Sequence, residues 1–164
     1  TQLWACVLLL LTGLRLSEVL SLKWSNVYLK AEVPHFIFPL GTRKQRKIVY
    51  AVPIVNIMQN VFKAQNKVRV NDYVFPSYKN RESYIRDVDY ALQRRTWTQV
   101  GVSLGYDLTI LNYITGRSST LKSATAIGSY ITPSLETAVP YYEKIVMTLT
   151  DGSDVLQEKM IIES

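Results

Sequence analysis

The stretch that decides the fold lies near the start of the chain and reads Thr12-Gly13-Leu14-Arg15-Leu16-Ser17-Glu18-Val19-Leu20-Ser21-Leu22-Lys23-Trp24. Residues 2–12 are apolar almost throughout, which predicts a buried helix that ends at Gly13. Apolar residues then recur at helical spacing over residues 16–22 and predict a second short helix that reaches Trp24. Arg15 therefore lies in a tight turn between two helices, where its guanidinium can be presented rigidly to a phosphate. Glu18, one turn later, is placed to hold this arginine.

The rest of the chain predicts a small sheet followed by more helices. Segments rich in Val, Ile, Tyr and Phe predict strands over residues 26–30, 34–40 and 47–52, on either side of a basic turn at 41–47. Helical periodicity covers residues 54–65, 84–104, 107–115 and 134–149. We therefore expect a mainly α fold with a small antiparallel β-sheet (α+β), in one domain over residues 1–164.

The composition excludes several kinds of site. The chain of 164 residues has one cysteine, Cys6, and one histidine, His35. It therefore has no disulfide within the chain, no cysteine-based zinc site and no site built on two or three histidines. The net charge of +6 suits a polyanionic partner. The apolar run over residues 3–11 is too short to span a bilayer, so we expect a soluble protein in a reducing compartment without a membrane partner.

The opening stretch resembles the first arginine motif of the tyrosine recombinases (phage integrases), which reads TGLR-x-SE-x-x-x-L-x-W. Residues 73–77, Tyr-Val-Phe-Pro-Ser, are similar to a later segment of that family, and residues 94–97, Arg-Arg-Thr-Trp, resemble its second arginine motif. From Thr96 the resemblance continues without a gap to Gly116-Arg117. Residues 128–133, Gly-Ser-Tyr-Ile-Thr-Pro, resemble the motif around the family's nucleophilic tyrosine. The resemblance covers most of the chain, follows the family's order and implies the fold of its catalytic domain.

The resemblance implies that Tyr130 is the nucleophile. This phenol attacks a DNA phosphate and forms a 3′-phosphotyrosine, while Arg15 and Arg94 bind the phosphate and stabilise the charge that builds on its oxygens. The reaction needs no metal and no small-molecule cofactor. Among the 11 tyrosines of the chain, Tyr130 is selected by its motif, and Tyr141 and Tyr142 are interpreted as packing residues of the last helix.

The resemblance also implies a lysine at the tip of the hairpin that protonates the leaving 5′-oxygen. The motif match assigns this role to Lys44, with Arg43 and Lys47 as alternatives because hairpin length varies. Further side chains expected to contact DNA are Arg43, Arg46, Lys47 and Arg95.

The sequence departs from the family at two positions. The family usually has a histidine three residues before the second arginine, where this chain has Ala91, and a second histidine where it has Arg117. Arg117 is still able to donate to a phosphate oxygen and is included among the catalytic residues, whereas Ala91 is not. The segment between Ser77 and Arg94 is also shorter than the family norm. Two explanations are open: a loop that the printed sequence lacks, or a true deletion that weakens the enzyme.

These observations predict a site-specific DNA recombinase or integrase, with double-stranded DNA as partner and self-association on DNA as a dimer or tetramer. The alternatives are a DNA-binding relative that no longer cuts, a type IB topoisomerase-like enzyme, and a generic basic helical interaction domain. The chain starts without Met and is expected to be a fragment without its N-terminal DNA-binding domains. Residues 134–164 form a last helix and tail that dock on their own domain or on a neighbouring subunit. The expected location is the cytoplasm of a bacterial or phage-infected cell, or wherever the host DNA is.

Overall fold

The computed structural model of the protein describes residues 1–38, 50–86, 93–115 and 135–151. In these residues helices pack around a three-stranded antiparallel sheet of order β1-β2-β3, which confirms the predicted mainly α fold with a small sheet. The helices are α1 Gln2–Thr12, α2 Leu16–Leu20, α3 Asn56–Lys67, α4 Gln93–Ser103, α5 Leu108–Ile114 and α6 Leu135–Thr150, with a short 3₁₀ turn at Trp24–Asn26. The strands are β1 Val27–Tyr28, β2 His35–Phe38 and β3 Tyr50–Pro53.

Helix α1 forms the middle of the core. Its apolar residues lie on nearly every side, and Ala5, Leu8 and Leu11 are completely buried. The helix contacts α2, α3, α4 and α6, so the predicted buried helix is confirmed. It ends at Gly13, whose φ of 62° is the left-handed conformation that glycine adopts without a steric penalty.

Strand β1 is shorter than the predicted strand over residues 26–30. Phe36 pairs with Val52 across β2 and β3, and both side chains are buried against the helices. Strand β1 has only two residues and pairs with the start of β2, where the Tyr28 and His35 rings stack with centroids 4.9 Å apart. His35 is thus a strand residue. The hairpin tip at residues 39–49 lies outside the described residues.

Helix α3 begins two residues later than its periodicity suggests. The pattern starts at Ile54, but the N–H of Ile54 donates to the Pro34 oxygen at 2.7 Å and extends the pairing of the sheet. The helix therefore starts at Asn56 and runs to Lys67. A tertiary hydrogen bond here takes precedence over the local helical pattern.

The predicted helix over residues 84–104 is wrong at its start. Tyr84 forms a β-bridge with Pro76, and the N–H of Ile85 donates to the Phe75 oxygen at 3.1 Å. These extended residues are held by pairing with residues 75–76 across the loop 77–83, which helical periodicity does not reveal. The described helix α4 begins at Gln93, and residues 87–92 lie outside the described residues.

Helices α4 and α5 are joined by a tight turn at Gly105, with φ of 82°. The N–H of Tyr106 donates to the Gly101 oxygen at 3.1 Å, and the N–H of Gly105 donates to the Val102 oxygen at 2.9 Å. This pair of bonds is the Schellman motif, which satisfies the last carbonyls of α4. It directs the chain straight into α5, whose predicted bounds are confirmed.

Helix α6 packs on its own chain. It contacts α1, α4 and β3, and Tyr142, Ile145 and Val146 are buried in the core. The helix continues through Pro140. Ser134 and residues 152–164 lie outside the described residues, so docking of this tail on a neighbouring subunit stays a prediction. Within the described ranges, no helix has the length and apolar character needed to cross a membrane.

Asp107 caps α5 and provides a pH-dependent contribution to stability. Its carboxylate accepts a hydrogen bond from the Thr109 N–H at 2.6 Å, and hydrogen bonds from Thr109 lower the pKa of Asp107 below 3.8. Because the folded state has the lower pKa, this stabilisation is complete well above the usual value of 3.8 and is lost as the pH falls from there through the lower pKa of the folded state. We expect Asp107→Ala to lower the urea midpoint at pH 7 and to unfold with a weaker pH dependence in acid. Equal acid dependence in wild type and Asp107→Ala would contradict this role.

Candidate active site

Two short hydrogen bonds build the turn that leads to Arg15. The Thr12 hydroxyl donates to the Leu8 oxygen at 2.6 Å and accepts from the N–H of Leu14 at 3.4 Å. Thr12 and Leu14 are both buried, so the turn is anchored in the core on both sides of Gly13. Arg15 follows in an extended conformation as the residue that precedes α2, and its side chain is partly buried.

Glu18 holds the backbone of Arg15. Its carboxylate accepts a hydrogen bond from the Arg15 N–H at 3.1 Å, and Glu18 itself is 4% exposed. The Arg15 carbonyl in turn accepts from the N–H groups of Glu18 at 3.0 Å and Val19 at 3.2 Å. Both polar backbone groups of Arg15 are thus engaged within the first turn of α2. The guanidinium takes no part in these bonds, which fix only the backbone from which it extends.

Trp97 connects this turn to the second arginine motif. The indole is completely buried, and its Nε1–H donates to the Leu11 oxygen at 3.0 Å, at the end of α1. The ring lies so close to Gly13 that a Cβ added there would be 2.7 Å from Trp97 Cδ2. Trp97 lies one helical turn after Arg94 in α4. The glycine of the first motif and the tryptophan of the second are therefore in direct contact.

Tyr142, in helix α6, packs against Trp97. Its ring lies 5.5 Å from that of Trp97, and its hydroxyl donates to the Ile114 oxygen at 3.1 Å, with Tyr142 fully buried. We refer to Gly13, Trp97, Tyr142 and Ile114 as the tryptophan cluster. Ile114 ends α5 and Tyr142 lies in α6, so the cluster joins these two helices to α4 and to the end of α1.

The predicted catalytic residues are described to different extents. Arg15 is described in full, whereas Arg94 is described through its backbone in the first turn of α4. The remaining predicted residues lie outside the described part, namely Lys44, Arg117, Tyr130, Arg43, Arg46, Lys47 and the side chains of Arg94 and Arg95. Convergence of these side chains on one basic surface stays a prediction.

The position three residues before Arg94 is Ala91. Residues 87–92 lie outside the described residues, so both explanations for the short segment between Ser77 and Arg94 stay predictions. The histidine that the resemblance leads one to expect is absent from the chain at this position.

The segment 73–77 positions the end of the first motif. The N–H of Val74 donates to the Leu22 oxygen at 2.9 Å, and the N–H of Trp24 donates to the Asp72 oxygen at 2.8 Å. Lys23 and Tyr73 form an antiparallel bridge between these two bonds. Three of the sequence motifs are thus joined by described contacts.

The interpretation of Tyr142 as a packing residue of the last helix is confirmed by its full burial, whereas sequence reasoning missed the role of Trp97. The sequence contains one signal for Trp97, a large aromatic residue next to an arginine pair, and one for Gly13, a glycine at a helix end. Neither pattern predicts that these two residues are in contact. The hydrogen bond that holds Trp97 at this turn, from its Nε1–H to the Leu11 oxygen, joins residues 86 positions apart. Among the described residues, no three His, Cys, Asp or Glu side chains group together as a metal site.

Comparison with known proteins gives one match. The model of the phage integrase family matches residues 2–107, which include Arg15, Arg94 and Trp97 but stop before Arg117 and Tyr130. No curated protein and no solved structure matches the chain significantly. The match covers the part of the chain in which the two arginine motifs meet.

Proposed function

Because the chain belongs to the phage integrase family, we propose that it is a site-specific DNA recombinase or integrase that cuts and rejoins DNA strands through Tyr130. The observation that carries the proposal is the contact between Gly13 and Trp97, which sets the two arginine motifs side by side. Arg15 and Arg94 stand two and three residues from these contact positions. Two guanidinium groups carried by adjacent segments are able to bind one phosphate together and to stabilise the negative charge that builds on its oxygens during the reaction.

In the proposed reaction the phenol oxygen of Tyr130 attacks the phosphorus and the bond to the 5′-oxygen breaks. Lys44 gives a proton to that oxygen, and the phenolic proton passes to solvent because Ala91 offers no acceptor. An unperturbed tyrosine has a pKa of about 10, and two nearby guanidinium groups favour the phenolate. Arg117 donates to a phosphate oxygen. The 3′-phosphotyrosine conserves the bond energy, so a 5′-hydroxyl rejoins the strand by the reverse reaction without a metal or cofactor.

Double-stranded DNA is the proposed partner, and exchange between two duplexes calls for self-association on DNA as a dimer or tetramer. The positive charge of Arg43, Arg46, Lys47 and Arg95 supports contact with phosphates on either side of the cut. The proposed location is the cytoplasm, or wherever the host DNA is.

A second candidate is a DNA-binding member of the family that no longer cuts. Two observations favour it. Ala91 replaces the expected histidine, which removes a proton acceptor and phosphate ligand, and the family match ends at residue 107, before Tyr130. Such a protein would still bind DNA through the two arginine motifs but would not form the phosphotyrosine.

The decisive measurement is covalent capture on a pool of nicked duplexes with randomised sequence beside the nick. Cleavage near the nick releases a short fragment that diffuses away, so rejoining fails and the phosphotyrosine accumulates. We expect the wild type to form an adduct that survives denaturing electrophoresis, with or without a chelator of divalent metals. Tyr130→Phe lacks the attacking oxygen and is expected to form none.

Tyr141→Phe is the matched control, because Tyr141 is a partly buried tyrosine that packs against Tyr106 with ring centroids 4.8 Å apart. It is expected to form the adduct at the wild-type level. DNA binding without any adduct in the wild type favours the second candidate. An adduct that persists in Tyr130→Phe rules out Tyr130 as nucleophile.

A further inference from the structure

Two aromatic rings in contact, with a cation against each of them, lie at the surface beside the end of the first arginine motif. The ammonium of Lys23 lies 5.3 Å from the ring centre of Tyr73, whose ring contacts that of Tyr84 at 5.2 Å. The guanidinium of Arg86 lies 6.0 Å from the Tyr84 ring. We call Lys23, Tyr73, Tyr84 and Arg86 the ladder. Lys23 and Arg86 are exposed and the two tyrosines are partly buried, so the rings hold the cations at the surface.

A second pair of this kind lies next to the ladder. The guanidinium of Arg69 lies 5.5 Å from the ring of Trp24, which packs edge-on against the buried Phe62 at 6.3 Å. Arg69 is exposed, whereas its supporting ring is fixed on the core. Since Trp24 directly follows Lys23, this guanidinium continues the same basic surface.

The loop over residues 77–83 adds two cations and has a defined shape. The Asn71 side-chain amide donates to the oxygens of Arg81 at 2.8 Å and Ser83 at 3.0 Å. The N–H of Ser77 donates to the Ser83 oxygen at 2.9 Å and closes the loop. Lys79 and Arg81 are exposed on it. The loop thus carries its cations on a backbone that is already ordered.

Residues 63–86 carry a local excess of positive charge. They contain six cations (Lys63, Lys67, Arg69, Lys79, Arg81, Arg86) and two acids (Asp72, Glu82), a surplus of four. Asp72 forms an ion pair with Lys23 at 3.8 Å. Among the described residues, no acidic group lies within ion-pair distance of Arg69, Lys79, Arg81 or Arg86.

We propose that the ladder, Arg69 and the 77–83 loop form a contact surface for the phosphate backbone of duplex DNA beside the cleaved phosphate. The proposal rests on the function proposed above. Cations supported by rings and by an ordered loop lose little side-chain freedom when they contact a phosphate. They contact the backbone and not the bases, so the surface raises affinity for any sequence and sets the orientation of the duplex.

The distance along the chain limits where these phosphates lie. Lys23 follows Arg15 by eight residues, so their Cα atoms are at most about 27 Å apart. At 3.4 Å per base pair this corresponds to about eight base pairs, less than one turn of the duplex. Lys23 therefore serves phosphates less than one helical turn from the phosphate proposed to bind Arg15.

The test uses the whole chain and a random-sequence duplex of about three helical turns, with affinity measured at several salt concentrations. Each lost phosphate contact lowers the slope of log K against log salt by about 0.9. We expect the double variant Arg81→Gln/Arg86→Gln to lower the slope by about 1.8. The variant Lys144→Gln, an exposed cation on α6, is expected to keep the wild-type slope.

A third variant tests the rings without changing any charge. Tyr84→Leu removes the ring that supports Arg86 and is expected to weaken DNA binding about two- to fivefold. Circular dichroism of each variant shows whether it is folded. A slope in Arg81→Gln/Arg86→Gln equal to that of Lys144→Gln overturns the proposal. So does a loss of binding confined to vesicles of phosphatidylcholine and phosphatidylserine, which would assign the surface to anionic lipid.

The DNA-binding experiment and the adduct experiment test the surface and the proposed activity independently. Salt-dependent DNA binding that weakens in the variants, together with no adduct in the wild type, supports the surface and removes the proposed activity. An adduct in the wild type with unchanged slopes in the variants supports the activity and removes the surface.

Discussion

Gly13→Ala is expected to lower the free energy of unfolding by about 2–5 kcal/mol and to disturb the two arginine motifs together. A left-handed φ of 62° costs a residue with a Cβ about 1–2 kcal/mol. The added Cβ would also lie 2.7 Å from the buried Trp97 ring, and such overpacking costs about 1–3 kcal/mol more. Urea denaturation at pH 7 measures the sum. Adduct formation below the denaturation range is expected to slow as well, because the indole supports both arginine segments.

Gly105→Ala is the matched control. Gly105 has a φ of 82°, but no atom lies within 4 Å of an added Cβ. This variant therefore bears the conformational cost without the overpacking, and we expect a loss of about 1–2 kcal/mol with normal adduct formation. Equal losses in Gly13→Ala and Gly105→Ala would show that the close approach of Trp97 has no energetic consequence.

Arg15→Gln is expected to slow adduct formation about 100- to 1000-fold, the usual effect of losing one group that stabilises developing charge. The fold is expected to remain, with a change in unfolding free energy within about 0.5 kcal/mol. The reason lies in the turn itself. Arg15 contributes its N–H and C=O to the bonds with Glu18 and Val19, and both groups survive the substitution. The measurement is the single-turnover rate of adduct formation at saturating DNA.

Two further variants make this result specific. Glu18→Ala removes the buried carboxylate that accepts the Arg15 N–H, so it is expected to lower stability and the cleavage rate together. Lys144→Gln removes an exposed cation far along the chain in α6 and is expected to change neither. A cleavage rate in Arg15→Gln within a few fold of wild type would exclude Arg15 from the phosphate site.

The end of α1 and the start of α2 were predictable because their signals are local, whereas the expected continuation of α2 to Trp24 is wrong, since the helix ends at Leu20. A glycine that follows an apolar helix predicts the left-handed stop at Gly13, and the apolar spacing after it predicts α2. The bounds of α5 were equally accessible, since Asp107 caps the helix with a bond to Thr109, two residues away. The resemblance to the tyrosine recombinases likewise depended on short motifs, and the family match over residues 2–107 confirms it.

Predictions from periodicity were wrong where the backbone pairs with residues outside the helical pattern. The helical pattern that starts at Tyr84 is overridden by the bridge to Pro76, and the pattern at Ile54 by the bond to Pro34. In both cases the backbone gains hydrogen bonds with a segment that the pattern does not include. The close contact between the turn at Gly13 and the Trp97 ring could not be predicted either, because no local sequence pattern indicates which distant side chain packs on a glycine.

The sequence by itself determined the order of the motifs, the fold class and the place of Arg15 in a glycine turn. These features depend on conformational preferences of a few neighbouring residues. Only the tertiary structure decided that Gly13 meets Trp97, that Tyr142 closes the cluster against Ile114, and that Lys23 and Arg86 share one surface. Such contacts depend on how buried side chains fill space between elements far apart in sequence, and packing of that kind has no local signature.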